Sequence, residues 1–259
     1  MLILLPPSEG KTAPRRGKPL DLDSLALPGL TEARREVVDA LVELCRGDEG
    51  TAARILGLGK TQVEEVARDA ALWSAPTARA DHVYSGVLYE ALDLPSLAGA
   101  AKRRATSWVA VASGLLGLVR PSDRIPAYRL SGDVALPGLG PVGAFWSRRL
   151  DESVREAAGG GIVVDLRSST YTPFWRPSPD LAPRVVTVRV LHEVDGRRQV
   201  VSHFNKATKG RLVRALLEDG AAPRSPGRFA DHVTALGWKV EPGPSGRAGT
   251  RLDVVVAAL

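Results

Sequence analysis

A hairpin signature late in the chain restricts the fold most: the run RVVTVRVLHEV ends at Val194, Asp195-Gly196 follows, and RRQVVSHFN resumes at Arg197. Asp-Gly suits the two positive-φ positions of a type I′ turn, so the two runs are predicted to pair antiparallel. A lone ribbon is marginal in water, and the chain must supply partners for it. Apolar runs too short for helices do so: MLILL before Pro6-Pro7, WVAVAS before a glycine-rich turn, GIVVDL, and a closing pair, WKVEP and RLDVVVAA. Helical patterns alternate with them. One runs from Thr31 to about Arg46, with Val37, Val38, Leu41, Val42 and Leu44 on its apolar side and Gly47 stopping it. Others are read at 82–93, at 95–104, in FWSRRLDESVREAA, in NKATKGRLVRALLEDG, and after Ser225-Pro226 as cap and first residue. With no strict βαβ period and no repeat, the pattern predicts a mixed α/β (α+β) fold, and 259 residues at 44% hydrophobic suit a single compact domain over 1–259.

Composition removes several function classes. The single cysteine, Cys45, excludes a disulfide scaffold or a cysteine zinc site, and His82, His192, His203 and His232 lack His-x-x-x-His spacing. No cofactor or metal site is expected, although carboxylates remain able to ligate a metal. The opening MLILLPPSEGK has no basic n-region, and no run approaches the ~18 apolar residues of a membrane span, so a cytoplasmic protein without a membrane partner is expected. Subtracting 29 acidic from 35 basic residues gives +6, which permits attraction to phosphates without establishing it. Only cations inside motifs carry an argument.

Four motifs qualify. Leu56-Gly57-Leu58-Gly59-Lys60-Thr61 lies between two short helices, the second read from Thr61 with Glu64 at capping-box spacing, and predicts a helix-hairpin-helix element at about 51–73. Its glycines let backbone amides converge on a phosphate, with Lys60 adding a charge; the alternative is a plain helical hairpin. Ser8-Glu9-Gly10-Lys11-Thr12 follows the first strand. It ends like a phosphate loop, but Leu5 stands where that loop's first glycine belongs and APRRGKP forbids the following helix. What remains is a strand-end loop carrying Ser8, Glu9 and Lys11. In SGLLGLVRPSDRIPAYRL, Arg120 and Arg129 are candidates to clamp a phosphate, or to brace the loop on Asp123. Asp165, Arg167, Ser168 and Tyr171 emerge together after a buried strand, and Lys206, Lys209, Arg211 and Arg214 crowd the first turns of a helix, where cations oppose the dipole unless they serve an anion.

Six blocks in order resemble the YaaA family of peroxide-stress proteins: MLILLPPSEGKT, Val83-Tyr84-Ser85-Gly86, Ser113 to Pro121 with Tyr128-Arg-Leu, Phe145-Trp146, Val164 to Tyr171, and Ser202-His-Phe-Asn-Lys206 with Lys209-Gly210. The resemblance implies a mixed α/β fold enclosing a basic cleft, a helix-hairpin-helix element, DNA binding, and protection from hydrogen peroxide by keeping free iron low. The chain departs from the shorter Ser-Pro-Ala-Lys form of many members at Pro-Pro-Ser-Glu-Gly-Lys, around Lys11.

Two functions compete. In one, the protein binds double-stranded or structured DNA without sequence preference, using Gly57, Gly59, Lys60, Ser8, Arg120, Arg129, Arg167, Ser168, Lys206 and Lys209. In the other it is an enzyme on nucleotides or damaged DNA, with Lys11 or Lys206 as nucleophile or acid-base group, Asp165 and Tyr171 assisting, and a nucleotide-like small molecule as partner. A purely structural partner-binding module is the third reading.

Overall fold

A computed structural model gives the fold and describes residues 1–194, 197–199 and 202–257. The first half contains β1 (Leu2–Leu5), α1 (Thr31–Arg46), α2 (Glu49–Ile55), α3 (Glu64–Ala70), β2 (Ala78–Arg79), α4 (Ala80–Val83), α5 (Val87–Leu92), α6 (Gly99–Trp108), β3 (Val109–Ser113), β4 (Gly117–Val119) and β5 (Arg124–Ile125). The second half contains β6 (Ala135–Leu136), β7 (Gly140–Pro141), α7 (Val142–Ser147), α8 (Leu150–Ala158), β8 (Val163–Asp165), β9 (Val185–Val194), β10 (Arg197–Gln199), α9 (Ser202–Asp219), α10 (Pro226–Ala235), β11 (Lys239–Gly246) and β12 (Gly249–Ala257). The fold is the mixed α/β arrangement expected.

One eight-stranded sheet organises it, in the order β11-β12-β9-β8-β1-β3-β4 with β10 added on β9. Five neighbours, β12, β9, β8, β1 and β3, run parallel, while β4 and β11 close the two edges antiparallel. Parallel strands are buried on both faces, which is why LILL, VAVAS and VVD read as unbroken apolar runs and why Leu2 to Leu5 are wholly inaccessible. Two small ladders, β2 with β5 and β6 with β7, tie down the long connections.

The hairpin is present: Arg198 pairs with Glu193 and Gln199 with His192, while the Asp195-Gly196 turn lies outside the described residues. Its second arm is shorter than the sequence predicts, because SHFN belongs to α9. Leu212, Val213, Leu216 and Leu217 are buried at helical spacing, and the helix they anchor extends upstream through residues whose pattern suited either form. The helix predicted at 82–93 is broken into α4 and α5, since Lys11 forms an antiparallel bridge with Tyr84 and Gly86 takes φ +87°. The helix predicted at 95–104 occupies 99–108, and the one from Thr61 starts as a 3-10 turn before Glu64. Glycine also sets one close approach: a Cβ at Gly210 would stand 2.3 Å from the Leu88 carbonyl oxygen, so α9 and α5 meet backbone to backbone. Among the described residues, no helix is long and apolar enough to cross a membrane.

Candidate functional site

The chain leaves β1 toward β3 on one side, but leaves β8 toward β9 on the other. Adjacent parallel strands whose connections depart in opposite directions open a crevice at their carboxyl ends. Leu4 is level with Asp165 in the ladder, so the loops following β1 and β8 diverge from the same height. Between them lies a pocket of about 470 Å³, within the size range of small-ligand sites. It is walled by Pro6 to Gly10, by Ser85 to Tyr89, and by Ser168, Thr170, Tyr171 and Lys206.

The walls are held by bonds between segments far apart in sequence. Ser8 Oγ accepts from the Ser85 amide at 3.1 Å, Ser85 Oγ donates to the Gly10 carbonyl at 3.2 Å, and the Tyr89 hydroxyl donates to the Pro6 carbonyl at 2.7 Å. The Ser168 carbonyl accepts from the amides of Tyr171 and Thr172, folding that wall into a turn. Lys206 is exposed, and among the described residues no carboxylate pairs with it. Glu9 is the other charged lining residue, answered by Arg129 Nη1 at 3.1 Å. The lining therefore carries one charge of each sign, not the uniformly basic surface expected.

The sequence candidates divide. Ser8, Ser168, Tyr171 and Lys206 meet at the pocket. Lys11 lies directly behind it, its Nζ donating to the Ser8 carbonyl at 2.9 Å and standing 4.1 Å from the Tyr128 ring centroid. Burial lowers the Lys11 amine to about 8. Lys209 is turned inward: Nζ donates to the Leu166 carbonyl at 2.8 Å, and burial lowers its pKa too. Asp165 and Arg167 form a buried bidentate pair, Nε to Oδ1 at 2.9 Å and Nη2 to Oδ2 at 2.7 Å. Arg167 also donates to the carbonyls of Tyr171 and Trp175, so its guanidinium is committed to bracing the loop after β8. Arg120 lies at the opposite edge of the sheet, donating to the carbonyls of Ser107 and Val109 where β3 begins. Gly57, Gly59 and Lys60 form the turn between α2 and α3. Gly57 adopts φ +64°, the amide of Gly59 donates to Gln62 Oε1 at 3.2 Å in place of the Thr61 cap expected, and Lys60 is exposed. Glu64 and Glu65 begin α3, which makes the hairpin electrostatically mixed.

Asp69 carries no signal in the sequence, and Tyr84 and Tyr128 enter only as members of the family-like blocks, without a role. Asp69 is fully buried and accepts from the Arg129 amide at 3.0 Å; burial, outweighing that bond, raises its carboxyl to about 7. Tyr128 shares hydroxyl bonds with Ser113 Oγ at 2.7 Å and the Tyr84 hydroxyl at 3.1 Å, beneath Lys11. The Ser-Gly pair inside VYSGVLY, a breaker in a helical pattern, was the available signal for Tyr84. Burial pushes the Cys45 thiol up to about 12, so the peroxide-reactive thiolate is negligible at neutral pH. Among the described residues no three His, Cys, Asp or Glu side chains gather to hold a metal.

Comparison with known proteins places these features in a family. The family described as peroxide stress protein YaaA matches residues 1–242. A UPF0246 protein of Streptomyces coelicolor is 53% identical over 99% of this chain and 98% of its own length. One from Corynebacterium efficiens is 41% identical, covering 93% and 95%, and one from Corynebacterium glutamicum 37%, covering 95% and 96%. The chain belongs to the YaaA family of peroxide stress proteins.

Proposed function

We propose that this peroxide-stress protein binds DNA by its phosphate backbone, largely irrespective of base sequence, at the mouth of the cleft between the ends of β1 and β8, and so limits oxidative damage to DNA and the effect of free iron on it. The observation that carries this reading is Lys206: an exposed cation, without a carboxylate partner among the described residues, beside the hydroxyl-bearing residues Ser8, Ser168 and Thr170, on a chain of net charge +6. Since Arg129 answers Glu9, Lys206 is, among the described residues, the uncompensated charge of the lining. The hairpin between α2 and α3 serves as a second contact. A phosphate there competes with Gln62 for the Gly59 amide and meets Glu64 and Glu65 nearby, so the cleft takes the larger share.

Backbone binding has a salt signature. Between about 50 and 200 mM salt, affinity for duplex DNA is expected to fall tens-fold or more if several phosphates are neutralised. Lys206→Ala is expected to weaken binding about equally for unrelated sequences and to reduce the logarithmic salt slope by about 1, with circular dichroism and thermal midpoint unchanged. An unchanged slope and affinity in a folded Lys206→Ala protein would remove Lys206 from the interface.

A further inference from the structure

Lysine is scarce here: seven lysines stand against 28 arginines, yet Lys11, Lys206 and Lys209 all converge on the ends of β1 and β8. Arginine serves a phosphate contact at least as well as lysine, but cannot supply a neutral amine. Lys11 has the surroundings for that role. Its backbone is pinned by the bridge to Tyr84 and by the Thr12 amide, which donates to the Val83 carbonyl at 2.9 Å. Its Nζ is held by carbonyl oxygens, Ser8 at 2.9 Å and Glu9 at 3.5 Å, and by the rings of Tyr128 and Tyr84 at 4.1 and 5.8 Å. Among the described residues no carboxylate lies within ion-pair distance of it, because Glu9 is engaged by Arg129. Burial favours loss of the proton and Arg129 adds to it, outweighing Glu9, Asp69 and Glu65, which hold the proton on; with a pKa of about 8, roughly one molecule in ten carries the free amine at pH 7.

We propose that Lys11 captures aldehydes as an imine, its substrate class being an aldehyde-bearing sugar phosphate such as the open-chain sugar left in DNA where a base has been lost. The DNA form of this substrate rests on the binding reading above; the imine chemistry does not. Ser8 and Glu9, whose carbonyls hold Nζ, themselves line the pocket, and Lys206 lines it too as the cation a phosphate requires. The amine lone pair attacks the aldehyde carbon; the N–C bond forms as the C=O π bond opens. Both amine hydrogens then leave with the oxygen as water, and a C=N bond remains, with nothing oxidised or reduced.

The test is reductive trapping of the full chain with 2-deoxyribose 5-phosphate and cyanoborohydride, followed by peptide mapping. In parallel, the protein is mixed with a duplex bearing an aldehydic abasic site, and with the same duplex bearing a tetrahydrofuran analogue that lacks the aldehyde. The expected adduct maps to Lys11, forms on the order of 100-fold faster at pH 7 than adducts at exposed Lys18 or Lys102, rises with pH to a midpoint near 8, and is absent from Lys11→Arg. Labelling spread evenly over the lysines, or no adduct with either aldehyde while both duplexes bind, would overturn the inference and leave the DNA reading standing. An adduct at Lys11 with the free sugar phosphate but no retention of either duplex would uphold the inference and remove the DNA reading.

Discussion

Arg167→Ala is expected to lower the stability of the folded protein by about 3–5 kcal/mol, the range for removing one partner of a buried ion pair. The side chains of Arg167 and Asp165 are 2% and 6% exposed, so the change leaves the Asp165 carboxylate in the interior without its bidentate partner, held by the residue 167 amide and the charge of Lys209. The carbonyls of Tyr171 and Trp175 lose their donors in the same step. Because Tyr171 walls the cleft, the loop after β8 loosens where it meets ligand. Lys at 167 retains the charge but not the fork, and is expected to fall between the parent and the alanine variant. Replacing the pair together, Arg167→Met with Asp165→Leu, is expected to recover much of the loss, since neither charge is then stranded. Urea denaturation of the four proteins measures this; an Arg167→Ala protein within 1 kcal/mol of the parent would show that the pair does not brace the loop.

The second large effect belongs to Asp69 and depends on pH. Burial raises its carboxyl from an ordinary value near 3.8 to about 7. The folded chain therefore keeps a proton, between about pH 4 and 7, that the unfolded chain has released. Stability from this group falls as pH rises through that window, and the loss is complete above 7. At 1.4 kcal/mol per unit the loss is on the order of 4 kcal/mol. The groups facing it are Glu65, which adds to the rise, and Lys11, Arg68 and the Arg129 amide, which oppose it. Asn at this position still accepts from the Arg129 amide but cannot ionise. Asp69→Asn is expected to match the parent near pH 4 and to exceed its stability at pH 8. Parallel stability curves for the two proteins from pH 4 to 8 would show that Asp69 does not titrate in this range.

What was legible in the sequence was whatever depends on neighbouring residues. The buried strands, α1 and the β9–β10 pairing follow from period and turn chemistry over a dozen residues. The site is less legible because its parts are fixed by contacts across the chain. Tyr84 leaves its helical pattern to bridge Lys11, more than 70 positions away. Asp69 sits unremarkably in QVEEVARDAALW, and becomes a titrating group because the fold buries it against the amide of Arg129, 60 residues on. Arg120 and Arg129 share a loop and a residue type, yet one reaches the start of β3 and the other reaches Glu9 beyond the end of β1. Strand order decides that, and no local pattern encodes it. The loops 6–11 and 168–171 were each legible, since each directly follows a strand recognisable by its burial, but that they meet follows from the parallel pairing of β1 with β8, which releases both loops on one edge.

Contact of DNA with that edge is read directly by hydrogen–deuterium exchange with and without a duplex. Exchange is expected to slow in 6–11, 85–89 and 168–171 when DNA is added, and the slowing to be lost at high salt. Slowing confined to 57–62 in the α2–α3 hairpin, with those three segments unchanged, would contradict that contact.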